Sequence, residues 1–109
     1  MAYDEGLAHR IREVLSDQPN VVEKKMFGGI AFMVQGNMAV GVVKDNLMVR
    51  MDPAGYDDAL AQPYVHEMDF TGRPMKGWIY ILPEGIADDA DLIRWIGLGV
   101  DYARSLPPK

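Results

Sequence analysis

At 109 residues, 49% apolar and 25% charged, the chain has the length and composition of one globular domain, and we read it as a single unit over 1–109. Eleven lysines and arginines against sixteen aspartates and glutamates leave a net charge of −5, and the cations are scattered from Arg10 to Lys109. That balance disfavours direct binding to nucleic acid or an anionic membrane surface, and the absence of cysteine excludes disulfides, thiol catalysis and cysteine-ligated zinc.

The amino terminus, "MAYDEGLAHR", carries charges where a signal peptide needs an apolar stretch. No run approaches the ~18 apolar residues of a membrane span. A cytoplasmic protein is the expectation. Residues 4 to about 17 then read as an amphipathic helix: Tyr3, Leu7, Ile11, Val14 and Leu15 recur at three- and four-residue spacing, with Asp4 as the cap. "DQPN" ends it, because the residue before a proline is pushed out of helical conformation.

The middle of the chain is β. Gly36-Asn37 and Asp45-Asn46 are turn signals, so strands are expected over 30–35, 38–43 and 47–51 as an antiparallel meander. Before them, Gly28-Gly29 marks either a bulge in one long strand from about Val22 to Gln35, or a tight hairpin that makes Val22 to Phe27 a separate strand. "DP" at 52 and 53 starts a short helix carrying Tyr56, Ala59 and Leu60. Strands follow over 65–70 and 76–82, joined by "TGRP", and a last helix over 88–105 has Leu92, Ile96, Val100 and Ala103 as its apolar stripe. Grouped strands and helices make the fold class α+β with an antiparallel sheet.

With those turns, Ala31, Met33, Met38, Val40, Val42, Leu47, Val49 and Met51 share one face of the sheet. Ile30, Phe32, Val34, Val43 and Met48 share the other, beside Gly41 and Arg50. A sheet exposed on one side should be polar there, and this one is apolar on both. The second face is expected to be covered either by the last helix or by another chain, in a homodimer or with a protein partner.

No set of residues converges on a reaction, and no catalytic, cofactor or metal site is assigned. Gly28-Gly29 is followed by Ile30 and Ala31, where a phosphate loop needs lysine and a hydroxyl at a helix start. His9 and His66 lack partners at metal-ligand spacing. Asp57-Asp58 and Asp88, Asp89 and Asp91 sit at helix starts, where the dipole favours carboxylates. Ser16 and Ser105 lie near helix ends without a nucleophile elbow. In "FTGRPMKGW", Arg73 and Lys76 flank a turn beside Trp78; this is a hairpin turn with solvated cations or, alternatively, a seat for a small anionic ligand or a partner's carboxylate.

The chain resembles the TfoX/Sxy amino-terminal-domain family. The resemblance rests on "KKMFGGIAF", on "DNLMVRMDP" with Leu47, Val49 and Arg50, on "DFTGRPMKGW", and on the closing helix ending "ARSLPPK". It implies a two-layer α-β(3)-α-β(2)-α fold similar to type III secretion chaperones, and favours the bent strand at Gly28-Gly29. The family's named members are regulators of natural competence that act with a cyclic-AMP receptor protein, and they carry a second domain not found in this sequence. The resemblance therefore implies a regulatory association with a protein partner, and no reaction. The expected function is a non-enzymatic protein-interaction module, with a small-ligand binder or enzyme at Arg73, Lys76 and Trp78 as the alternative.

Overall fold

In the computed structural model, which describes residues 3–26, 28–68 and 76–108, Asp4 opens the first helix, α1 (Glu5–Val14). Its carboxylate accepts from the backbone N–H groups of Gly6 at 2.8 Å and Leu7 at 3.2 Å, satisfying two donors that a helix start otherwise leaves unpaired. The next two elements, β1 (Val21–Met26) and β2 (Gly29–Val34), are antiparallel neighbours, with Met26 opposite Gly29. The glycine pair is therefore the site of a tight hairpin, and the single bent strand favoured by the family resemblance is instead two strands. Gly28 supplies the left-handed turn conformation at φ 74°. Gly29 has a different reason: a Cβ there would overlap the carbonyl oxygen of Val42 on the neighbouring strand.

Strands β3 (Asn37–Val43) and β4 (Asn46–Arg50) continue the meander. A 3-10 turn over Pro53–Gly55, capped by Asp52, leads into α2 (Tyr56–Leu60). Then come β5 (Val65–Glu67), β6 (Trp78–Ile81), a second 3-10 turn at Pro83–Gly85, and α3 (Asp89–Ser105). The described strands form one antiparallel sheet in the order β1-β2-β3-β4-β6-β5. The fold is α+β with an antiparallel sheet, as the grouping of elements predicts, with four strands rather than three ahead of α2.

Both predicted turns lie one residue earlier than expected. Gln35 and Gly36 take positive φ at the β2–β3 turn, and Lys44 does so at the β3–β4 turn, so Asn37 and Asn46 begin strands. Asn37 is drawn from the turn by a tertiary demand. Its buried Nδ2 donates to the carbonyls of Ala103 at 3.4 Å and Pro107 at 3.0 Å, tying the end of α3 to the sheet.

A larger difference follows from the β2–β3 ladder. Met33 pairs with Met38 and Phe32 with Val40, leaving Ala39 as an extra residue in β3. One inserted residue reverses which side each later side chain faces. Ile30, Phe32 and Val34 consequently share a face with Val40, Val42, Leu47 and Val49, not with Val43 and Met48. The expected interaction face of Ile30, Phe32, Val34, Val43 and Met48 is thus divided between the two sides of the sheet.

All three helices cover the same side. Leu7, Ala8, Ile11 and Leu15 of α1, Tyr56 and Ala59 of α2, and Leu92, Trp95, Ile96, Val100 and Ala103 of α3 close over Ile30, Phe32, Val34, Val40, Val42, Leu47, Val49, Ile79 and Ile81. α3 lies close enough to β3 that a Cβ on Gly99 would stand 2.5 Å from the Ala39 carbonyl oxygen. The inserted residue and the helix glycine thus meet at one close crossing.

Candidate functional site: the helix-free face of the sheet

The other side of the sheet follows from the register. Lys24, Ala31, Gly41, Met48, Tyr80 and His66 stand opposite one another across it, and so share a face. Val22, Met33 and Met38 form a neighbouring row, and Arg50 pairs with Trp78. Ala31, Met38, Met48 and Met68 form a second apolar cluster, with Met33, Val43, Trp78 and Tyr80 packed against it half-buried. None of these residues belongs to a helix. Gly41 keeps the centre shallow: a Cβ there would meet the Met48 methyl at 2.8 Å and the Met38 methyl at 3.3 Å. Methionine thioethers are flexible and polarisable, and such surfaces adapt to the shape of what they touch.

Toward the β1 edge the face opens into a groove of about 490 Å³ lined by Asn20, Val22, Lys24, Met33, Gln35, Gly36 and Pro108. Val22, 55% exposed, and Met33 supply apolar lining, with Lys24 beside them. On β4, Arg50 is held between two rings, its guanidinium carbon 5.4 Å from the Trp78 centroid and 5.5 Å from that of Tyr102 on α3.

Charge is distributed unevenly. Among the described strand residues the acidic ones are Glu23 and Glu67, which stand opposite Phe32 and Ile79 and so belong to the helix-covered side. Glu23 is taken up there by Arg12, both contacts at 2.8 Å, and that hydrogen bond chiefly raises the guanidinium above its ordinary value. Glu67 accepts from the Tyr56 hydroxyl at 3.3 Å. Burial first, and then Glu67, push the Tyr56 phenol up. Among the described residues the strands thus present Lys24, Arg50 and His66 to the helix-free face, and no carboxylate.

The remaining candidates stay apart. His9 is exposed on α1 with its Nε2 2.7 Å from Glu13, and exposed His66 stacks on Tyr80 at 5.3 Å between ring centroids. Asp57 and Asp58 lie in the first turn of α2 and Asp89 and Asp91 in that of α3; Asp89 meets Arg10 at 3.1 Å and Asp91 meets Arg94 at 3.7 Å. Asp88, at the start of α3, makes no side-chain cap bond. The hydroxyls of Ser16 and Ser105 donate to carbonyls three residues back, those of Glu13 and Tyr102. Among the described residues no group of three or more histidine and acidic side chains could hold a metal ion.

Of the anion-turn residues, Arg73 lies outside the described part of the chain, Lys76 is exposed, and Trp78 is half-buried against Arg50. The sequence reading passed over Lys24 and Tyr80. A signal for Tyr80 was present: strand alternation in "WIYI" sets Trp78 and Tyr80 on one face and Ile79 and Ile81 on the other. Lys24 needed the hairpin at Gly28, since only the pairing with Ala31 assigns its side.

A family model of the TfoX N-terminal domain matches residues 13–103. Neither the curated proteins nor the solved structures searched contain a match to this chain. No helix among the described residues is long and apolar enough to cross a membrane. The family match runs from the last two residues of α1 through most of α3 and so takes in every described strand: the chain belongs to the TfoX N-terminal domain family.

Proposed function

We propose that this chain is a non-enzymatic, cytoplasmic protein-interaction module that docks a protein partner on the helix-free face of its sheet. The observation that carries the reading is the methionine cluster. Met33, Val43, Trp78 and Tyr80 lie half-buried over the buried Met38, Met48 and Met68, and no described helix contributes to this cluster. Family membership supports a regulatory setting, in which the partner is a second copy or a transcription regulator. The scattered histidines, carboxylates and hydroxyls favour docking over catalysis.

The test is photo-crosslinking in host cells, with a photoreactive amino acid placed at Met33 on the helix-free face or at exposed Asp58 on α2. Docking on the sheet predicts discrete adducts from Met33 and none from Asp58. Adducts from Asp58 alone, or none from either position, overturn the reading.

A further inference from the structure

The proposed docking face has a charge character that identifies the kind of partner it fits. The chain as a whole is acidic, at −5, yet the strands bring Lys24, Arg50 and His66 to this side and confine Glu23 and Glu67 to the other. A second copy of the chain laid face to face would set lysine and arginine against the same cations, with no carboxylate among the described strand residues to receive them. Apolar area that excludes water sharpens this selection, because opposite charges gain more and like charges repel more as the dielectric falls.

The groove at the β1 edge supplies the shape. Val22 and Met33 offer an apolar seat, and Lys24 stands two residues along the same strand face from Val22. Asn20 and Gln35 add amide groups that can bond to a backbone. On β4, three strands from β1, the two rings stacked on Arg50 restrict how its guanidinium can turn. A segment with apolar side chains on one side and carboxylates beside them matches both features: hydrophobic contact with Val22 and Met33, and ion pairs at Lys24 and Arg50.

We infer that the helix-free face receives an acidic amphipathic segment of a different protein. Its apolar side chains rest on exposed Val22 and on half-buried Met33 and Val43, and its carboxylates point to Lys24 and Arg50. The inference rests on the docking reading and adds the partner's chemistry to it.

Three short fluorescein-labelled peptides test it by fluorescence anisotropy with the full chain: alternating Leu-Glu, alternating Leu-Ser and alternating Leu-Lys. The Leu-Glu peptide is expected to bind about tenfold or more tighter than Leu-Ser, with Leu-Lys weakest. Its advantage should shrink as salt rises from about 50 to about 300 mM, which shortens the screening length. Lys24→Glu, at an exposed position, should abolish the preference while leaving the melting temperature unchanged.

Equal binding of Leu-Glu and Leu-Ser, both lost in Val43→Glu, overturns the charge selection and leaves docking standing. A wild-type chain that sediments as a dimer, and that Val43→Glu converts to monomer, overturns it too, by making a second copy the occupant. Failure of all three peptides with a monomeric chain also overturns the inference; adducts from Met33 in cells then show separately whether docking survives.

Discussion

The two glycines of the first hairpin are there for different reasons, and substitution should separate them. Gly28 needs only its left-handed conformation, with open space where a Cβ would lie, so Gly28→Ala should cost about 1–2 kcal/mol. At Gly29 a Cβ would run into the Val42 carbonyl, and a backbone obstacle cannot swing aside. Gly29→Ala should therefore be the more damaging of the two, separating β2 from β3, and urea denaturation of the pair decides it. Tyr56 makes a second residue-scale prediction. Burial raises its phenol above the unfolded value, so the folded chain keeps a proton that the unfolded chain releases once pH passes the ordinary tyrosine range near 10. The resulting stability is complete below that range and is lost as pH climbs through the raised value. Tyr56→Phe should melt less steeply with pH above about 10, and an unchanged slope would remove Tyr56 from the alkaline loss.

At the scale of elements, a single bulge decides which side chains form the core. Val42 and Val43 are neighbours on β3, the first closed under the helices and the second half-buried on the other side. Val42→Glu would bury a carboxylate without a partner and should prevent folding. Val43→Glu should cost less than about 1 kcal/mol, because its carboxylate reaches water. Similar melting temperatures for the two variants would contradict the register. Asn37→Ala should cost about 1–3 kcal/mol by leaving the Ala103 and Pro107 carbonyls without their donor, read as a fall in melting temperature. These features also mark where sequence reasoning reached and where it stopped. Helix spacing from Leu7 to Leu15, and from Leu92 to Ala103, located α1 and α3, since amphipathic periodicity is local information. The meander was legible for the same reason. Ala39 carries no local mark of a bulge. Its place is set by the packing of α3 at Gly99, a contact distant in sequence, and so the face assignments of Ile30, Phe32 and Val34 were out of reach. Arg50 beside Trp78 on the helix-free side was half-legible: the strand position was evident, but its pairing with β6 was not.

For the molecule as a whole, the two faces of one sheet are built differently. One is closed by α1, α2 and α3 and holds the main core; the other carries methionines, aromatic rings and cations, and of these Arg50 is reached by Tyr102 of α3. On the docking proposal, the half-buried apolar residues of the second side are left to another molecule. The measurement that bears most directly on this division is methionine oxidation, read by mass spectrometry, in living cells and in the purified chain. Met33, half-buried on the helix-free face, should oxidise in the purified chain and be protected in cells, while Met51, 6% exposed in the core, should behave alike in both. Equal oxidation of Met33 in the two settings would contradict the account.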